Sequence, residues 1–312
     1  MDAKSNRILV AVDGSNQSLD AVRYVSKMLT PKKTEVVLFN VMRKIEDAFR
    51  DVGTEPAFHS KRANVSAWET TQGVMIQKFM NEAHKVLTDG GFPEESVITK
   101  IHECDVGVAR DIIMESNSGY SAVVVGRRGL SRLMDIMMGS VAYKLMEKLS
   151  NVPVWIVGGT PSPGKVMLGL DPSEGAMRAV DHLGAILGGT NTEVTLLNVL
   201  RSPSMFVPEL EDLSPASRKE IYDQAKEEIA PVFQEATRVL TKAGFNQDQI
   251  TTNLITGVSS RAGAIVEEAK RGGCGTIVIG RRGISKVEEF FMGRVSNKLI
   301  NLARDMAVWV VN

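Results

Sequence analysis

The strongest constraint on the fold is that the sequence repeats itself once. Asp13 is matched by Asp171, 158 residues later, and Gly126 is matched by Gly280, 154 residues later. Neighbouring residues match as well, and the offset changes only between predicted helices and strands. The pattern indicates a tandem duplication, so both halves are expected to adopt nearly the same fold.

The length of the chain supports two domains of ordinary size, because 312 residues exceed what one hydrophobic core usually serves. A stretch rich in Gly, Pro and Ser, at 159–164, lies between the halves and is typical of a linker. We predict a first domain at 1–158, a linker at 159–164 and a second domain at 165–312.

Short apolar runs alternate with amphipathic stretches along the first half. Runs such as Ile8–Val12 show no polar alternation, which is typical of parallel strands covered on both faces. The alternation predicts an α/β fold with a parallel sheet. The predicted strands are 8–12, 35–41, 97–101, 122–125 and 154–157; the predicted helices are 18–29, 66–88, 108–115 and 141–149; and 42–65 is predicted to be an irregular surface segment.

A glycine motif follows the fourth predicted strand in each half. In the first half, Gly126 and Gly129 are followed after nine residues by Gly139 and Ser140, where a predicted helix begins. Glycine lets backbone N–H groups approach a ligand closely, and a helix N-terminus favours an anion. The motif indicates a phosphate loop, with Arg127 placed to pair with phosphate oxygens; the alternative is that the glycines only form tight turns. It is neither a Walker loop nor a dinucleotide fingerprint.

Two positions at the ends of the first and second strands complete the candidate site. Asp13 can accept hydrogen bonds from a ribose or a base edge, or it can cap the following helix. Val41 can meet adenine through its backbone, or its side chain can be ordinary core. Because the first and fourth strands are expected to be neighbours, we expect Asp13 to lie near the glycine motif.

Composition and charge argue against several other classes of protein. Lys plus Arg and Asp plus Glu both number 37, so a nucleic-acid binder that works through a basic surface is not expected. No apolar run has the length of a signal peptide or a membrane span, so we expect a cytoplasmic protein without membrane insertion. Cys104 and Cys274 are expected to be free thiols, and neither metal-ligand spacing nor a catalytic Ser/His/Asp arrangement is visible.

The repeat and its motif resemble the universal stress protein family. The matching stretches are 10–15, 40–41, 126–140 and 153–157, and the resemblance extends over both halves. It implies that each half is a flavodoxin-like, three-layer α/β/α domain with a five-stranded parallel sheet in the order 3-2-1-4-5. It also implies bound ATP or AMP, with Mg²⁺ as a possible companion. In the first half it assigns to the nucleotide Val12, Asp13, Ser15, Val41, Gly126, Arg127, Gly129, Gly139, Ser140 and Val141.

The second half departs from the family pattern. Pro172 replaces the glycine after the aspartate, and Arg294 stands where the family has Ser or Thr. The arginine either pairs with phosphate or marks a site that has decayed, and a cation at a helix N-terminus opposes the dipole. Ser296 is a candidate to replace the lost hydroxyl. The residues of this degenerate site are Asp171, Val199, Gly280, Gly283, Gly293 and Arg294.

The resemblance implies an adenine-nucleotide-binding regulatory protein of the stress response, with the competent site in the first half. Two alternatives stay open: a slow ATPase or self-phosphorylating protein using Ser140 or Ser131, and an interaction protein that binds no nucleotide. Weak ATP hydrolysis is the most activity we expect. The last strands, Val154–Val157 and Val308–Val311, are expected to pair into an intramolecular pseudo-dimer, with a further homodimer and an unknown protein partner as possible assemblies.

Overall fold

The computed structural model describes residues 6–43, 56–129, 138–201, 215–281 and 293–312, with backbone alone at 56–70, 215 and 218. By its internal contacts the chain divides into two compact units. Unit 1 comprises Met1–Ser26 and Pro31–Leu145, and unit 2 comprises Lys27–Thr30 and Met146–Asn312.

Unit 1 contains four parallel strands in the order β3-β2-β1-β4. They are β1 (Asn6–Ala11), β2 (Thr34–Met42), β3 (Val97–Glu103) and β4 (Ala122–Gly126). The helices of this half are α1 (Asn16–Met28), α2 (Pro56–Asp89), α3 (Val108–Ser116) and α4 (Ser140–Lys148), and the boundary between the units falls within α4.

Unit 2 contains the strands in the order β5-β10-β9-β6-β7-β8. They are β5 (Val154–Val157), β6 (Lys165–Gly169), β7 (Glu193–Arg201), β8 (Ile250–Val258), β9 (Thr276–Gly280) and β10 (Ala307–Val311). The helices of the second repeat are α5 (Glu174–Leu187), α6 (Pro215–Lys242), α7 (Arg261–Arg271) and α8 (Arg294–Leu302). The second repeat thus has the expected order 3-2-1-4-5, and the α/β fold is confirmed.

The central strands form the core because they are apolar on both faces. Ile8, Leu9 and Val10 of β1 have no exposed surface, and β4 is buried along its whole length. Helices cover both faces of such a sheet, so neither face needs polar residues. The parallel register pairs Ala11 with both Phe39 and Val125, which places the ends of β1, β2 and β4 at one edge.

Helix α2 begins earlier than the sequence pattern indicated. It was expected at 66–88 and it occupies Pro56–Asp89, so the irregular segment predicted for 42–65 is wrong over its last ten residues. Pro56 is the first helical residue, a position where proline is favoured because its fixed φ suits a helix and its missing N–H costs nothing. Residues 44–55 lie outside the described part of the chain.

Strand β5, the last strand of the first repeat, pairs with β10 inside unit 2. The pairing is antiparallel and sets Trp155 opposite Trp309. The two indole rings stack with centroids 3.8 Å apart and planes 2° from parallel, and both side chains are fully buried. His182 of α5 meets both rings edge-on, and Trp155 Nε1 donates to His182 Nε2 at 3.1 Å.

Three observations concern membrane spans, cysteines and metal sites. None of the helices described here is long and apolar enough to cross a membrane. Cys104 and Cys274 are free thiols, as predicted. Over the same residues, no group of three or more His, Cys, Asp or Glu side chains is arranged to hold a metal ion.

Candidate functional site

The end of strand β1 is fixed to strand β2 by two buried hydrogen bonds. The N–H of Val12 donates to the carbonyl of Phe39 at 2.9 Å, and the Asn40 side-chain amide donates to the carbonyl of Val12 at 2.8 Å. The second repeat has the same pair, since Asn198 donates to the Leu170 carbonyl at 2.7 Å. Asn40 therefore positions the residue directly before Asp13. No structural role was predicted for this asparagine from the sequence, although its recurrence at offset 158 was the signal of one.

Asp13 and Ser15 shape the turn from β1 into α1. Asp13 Oδ1 accepts from the N–H of Ser15 at 3.0 Å, and Ser15 Oγ accepts from the N–H of Ser18 at 3.1 Å. Ser15 is thus the N-cap of α1 and is buried, so its hydroxyl serves the helix. Both roles considered for Asp13 are compatible, because Oδ1 holds the turn while Oδ2 faces the glycine motif.

The glycines of the motif lie where side chains would collide with their neighbours. A Cβ added at Gly129 would overlap Asp13 Oδ2 and lie 3.3 Å from Asp13 Cγ. A Cβ at Gly126 would lie 3.0 Å from the Gln17 carbonyl oxygen in the first turn of α1. The structure therefore brings Asp13 and Gly129 together as the sequence predicted, with the Asp13 carboxylate against Gly129 and the α1 backbone against Gly126.

Gly139 closes the loop that Gly126 opens. Its N–H donates to the carbonyl of Arg127 at 2.8 Å, and its own carbonyl accepts from the N–H of Tyr143 at 2.9 Å. The latter is the first intrahelical bond of α4, so the N–H groups of Ser140, Val141 and Ala142 precede it and have no acceptor within the helix. The N–H of Gly139, which was expected to face a phosphate, instead holds the loop closed. Residues 130–137 between the glycines are not described, and Ser131 is among them.

The backbone of Val41 points beyond the end of β1. Alternate residues of a parallel strand turn their backbone groups to the same neighbour, and the Phe39 carbonyl already pairs with Val12 on the β1 side. The carbonyl of Val41, two residues on, therefore faces the space that β1 leaves when the chain turns into α1. The Val41 side chain is 9% exposed, so its side chain is core while its backbone borders the site.

The two arginines after Gly126 differ in exposure. Arg127 is 3% exposed, whereas Arg128 is exposed. At the start of α4, Ser140 is exposed and Val141 is half-buried. The burial of Arg127 separates its side chain from solvent.

Arg281, the counterpart of Arg127, is tied to backbone within unit 2. Its guanidinium donates to the carbonyls of Glu147, at 2.6 Å, and of Leu149, and to the side-chain oxygen of Asn312 at 2.9 Å. Glu147 and Leu149 lie at the C-terminal end of α4, where carbonyls lack intrahelical donors. Arg281 therefore caps a helix rather than facing a ligand.

The second repeat closes its loop in the same way. The N–H of Gly293 donates to the Arg281 carbonyl at 3.0 Å, and α8 begins at Arg294, which is exposed. Ser296 is buried, and its hydroxyl donates to the carbonyls of Gly280 at 3.1 Å and Arg281 at 3.3 Å. It therefore does not replace the hydroxyl missing at position 294. Gly283 lies outside the described residues.

The strand ends of the second repeat carry different contacts. Asp171 Oδ1 accepts from both the N–H and the hydroxyl of Ser173, the N-cap of α5. The Val199 carbonyl accepts from Nε of Arg261 at 3.1 Å. Burial lowers the pKa of the Arg261 guanidinium and the nearby Arg201 lowers it further, while Asp171 acts in the opposite direction. An arginine thus stands at the strand end that corresponds to Val41.

The first repeat fits an adenine nucleotide chemically. Gly129 lets the Asp13 carboxylate lie against the loop backbone, three N–H groups at the N-terminus of α4 can meet an anion, and the Val41 carbonyl can accept from an amine. Mg²⁺ in proteins is usually bound through one or two carboxylates together with substrate phosphates, and Asp13 supplies a carboxylate beside the glycine motif.

The fold and the site together define a tandem, doubly wound α/β protein with a glycine loop at the strand ends of each repeat. A model of the universal stress protein family matches residues 4–158 and 163–312. The chain therefore belongs to the universal stress protein family, in a tandem form, and the resemblance read from the sequence is confirmed.

Individual relatives agree with this assignment. Universal stress protein MJ0577 of Methanocaldococcus jannaschii is 26% identical over 164 residues, which are 50% of this chain and 97% of that protein. Universal stress protein YxiE of Bacillus subtilis is 25% identical over 142 residues, 45% of this chain and 93% of that protein. A crystal structure of a universal stress protein from Archaeoglobus fulgidus matches the fold over 99% of both chains, with a TM-score of 0.66 and 18% identity.

Proposed function

We propose that this protein binds an adenine nucleotide, ATP or AMP, in its first repeat and acts as a regulator in the stress response. The observation that carries the proposal is that the Asp13 carboxylate lies against Gly129 of the glycine loop, which the hydrogen bond from Gly139 N–H to the Arg127 carbonyl closes. A carboxylate beside a glycine, next to a helix N-terminus, offers separate places for a ribose and for phosphates. Binding would change the loop surface that a partner protein meets.

Each residue of the site then has a defined role. Asp13 accepts from the ribose, and the Val41 backbone meets the adenine. The backbone at Gly126 and Gly129 and the N–H groups of Ser140 and Val141 receive the phosphates. Supporting residues hold these groups in place: Val12 and Ser15 fix the turn that carries Asp13, and Gly139 closes the loop. Arg127, which is buried directly after Gly126, stays a candidate to pair with the phosphates.

We further propose that the two repeats form an intramolecular pseudo-dimer through their last strands. The pairing of β5 with β10 sets equivalent positions, Trp155 and Trp309, opposite each other. That register is expected when two copies of one domain pair about a local two-fold axis.

The chain provides its own matched pair of variants for testing nucleotide binding. Asp13→Asn removes the carboxylate from the first site and Asp171→Asn makes the same change in the second. By calorimetric titration we expect wild type and Asp171→Asn to bind about one ATP or AMP per chain, and Asp13→Asn to bind at least about tenfold more weakly, a difference of about 1.4 kcal/mol.

Mass spectrometry of nucleotide released from the purified, denatured protein tests the same point without added ligand. Absence of binding heat for the wild type at millimolar ATP and AMP would contradict the proposal. Equal weakening by the two substitutions would contradict the assignment of the site to the first repeat.

A further inference from the structure

An arginine occupies the place in the second repeat that corresponds to the proposed base position in the first. The two repeats make equivalent hydrogen bonds at this point. Asn40 and Asn198 each donate to the carbonyl of the residue directly before the aspartate. In the same way, Leu170 N–H donates to the Leu197 carbonyl at 2.8 Å, as Val12 does to Phe39. The Val199 carbonyl therefore faces the space beyond β6 as the Val41 carbonyl faces the space beyond β1.

In the second repeat that carbonyl is already engaged. Arg261 Nε donates to it at 3.1 Å, across 62 residues of sequence. Arg261 is the first residue of α7. Its counterpart, the first residue of α3, is Val108, whose side chain has no hydrogen-bond donor. Strands β3 and β8 begin at Val97 and Ile250, the same 153 residues apart as these two helix starts, so the correspondence is unambiguous.

The hydrogen bond to the Val199 carbonyl places the Arg261 guanidinium near the end of β7. Burial and the nearby Arg201, the last residue of β7, lower the pKa of Arg261, and Asp171, two residues beyond β6, acts in the opposite direction. A planar guanidinium is rigid and cationic, and it would compete with an adenine amine for the same carbonyl oxygen.

We propose that Arg261 fills the base position of the second repeat and excludes adenine from it, so that the two sites of one chain differ in specificity. The inference rests on the proposed function, because it takes the Val41 backbone to be where the base binds in the first repeat. The second repeat keeps its closed glycine loop and helix N-terminus but cannot admit the base while Arg261 holds the Val199 carbonyl.

Replacing Arg261 with the residue of the first repeat gives a direct test. Arg261→Val is expected to fold, because a cation at a helix N-terminus is unfavourable and Ser260 still caps α7. Arg294→Ser restores the hydroxyl of the first repeat, and the double variant combines both changes. Arg271→Val, at the exposed far end of α7, is the matched control.

Calorimetric titration with ATP, with bound nucleotide counted by native mass spectrometry, separates the outcomes. We expect Arg261→Val, alone or with Arg294→Ser, to bind one more ATP than wild type, and Arg294→Ser and Arg271→Val to bind the same number as wild type. The inference is overturned if the Arg261 variants gain no ATP, if Arg294→Ser alone gains one, or if wild type already binds two.

The test also distinguishes this inference from the proposal on which it rests. A wild type that binds one ATP with no gain in the Arg261 variants leaves the proposed function standing and removes the inference. A wild type that binds none while Arg261→Val binds one removes the proposed site in the first repeat and, with it, the difference in specificity between two sites, and it leaves only the blocking role of Arg261 in the second repeat.

Discussion

The fold strongly alters the ionisation of His182. Burial against the two indole rings lowers its pKa from 6.5 to about 4. Nε2 of the neutral His182 ring accepts a hydrogen bond from the Trp155 N–H. Protonation of Nε2 would replace this acceptor with a second N–H donor and break the hydrogen bond. Because the folded protein disfavours the charged form, folding depends on pH in a defined direction.

We expect acid to destabilise the protein through His182. His182 takes up a proton near pH 6.5 in the unfolded chain and only near pH 4 in the folded protein. The contribution of the neutral histidine to the free energy of unfolding is therefore complete above pH 6.5 and is lost as the pH falls to about 4. The loss is at most about 3 kcal/mol. Urea unfolding followed by tryptophan fluorescence at a series of pH values measures it.

Two substitutions isolate the effect of this histidine. His182→Gln keeps an acceptor for the Trp155 N–H and should remove most of the pH dependence between 6.5 and 4. His84→Gln, a change at a histidine near the exposed Glu94 in unit 1, is the matched histidine control. An unchanged slope in His182→Gln would show that another group titrates.

At the scale of elements, Arg281 joins the loop after β9 to the end of helix α4. It donates to two carbonyls that the helix cannot satisfy itself. Hydrogen bonds to charged groups contribute about 1.5–3 kcal/mol each, and a buried carbonyl left without a donor is costly. We therefore expect Arg281→Met to lower the free energy of unfolding by about 2–4 kcal/mol in urea titrations.

The control for Arg281 is an arginine with an exposed ion pair. Arg271 pairs with Glu268 three residues earlier on α7, and such pairs contribute about 0.2–1 kcal/mol. Arg271→Ala should therefore change the stability by less than about 1 kcal/mol. Similar losses in both variants would refute a capping role for Arg281.

The elements that sequence predicted well are those defined by local pattern. Buried strands such as β1 and β4 were visible as apolar runs, and the approach of Asp13 to Gly129 followed from strand order. The start of α2 was missed because Pro56 was taken as a sign of irregular structure, whereas proline is favoured in a first helical turn.

The parts of the site that sequence did not predict depend on contacts between distant residues. Arg281 reaches Glu147 across 134 residues, and Arg261 reaches Val199 across 62 residues. No local spacing marks either contact. The use of the Gly139 N–H to close the loop was also invisible, because a glycine at a helix start suits a ligand and a turn equally well.

At the scale of the whole molecule, β5 contributes to the sheet of unit 2 although it belongs to the first repeat by sequence. A fragment of residues 1–158 would therefore expose an unpaired edge with Trp155 at its centre. Unpaired edges recruit another strand, and the register here already matches equivalent positions.

We expect the fragment 1–158 to form a dimer in which Trp155 stacks on its own copy. Analytical ultracentrifugation measures its mass, and near-ultraviolet circular dichroism reports the coupled indoles. Ile156→Pro in the same fragment should give a monomer, because proline removes a donor from the ladder. A monomeric fragment without the substitution would contradict the prediction.

The segment at 159–164 packs against other residues of unit 2. Pro161 is buried, and the Gly164 carbonyl accepts from the N–H of Glu193 at 2.8 Å. A Cβ added at Gly275 would overlap the Ser162 carbonyl oxygen and lie 2.6 Å from its nitrogen, so the backbones are in contact. A protease that cut this segment would leave a nicked molecule whose pieces, held by β5 and β10 and by Arg281, separate only when denaturant is added.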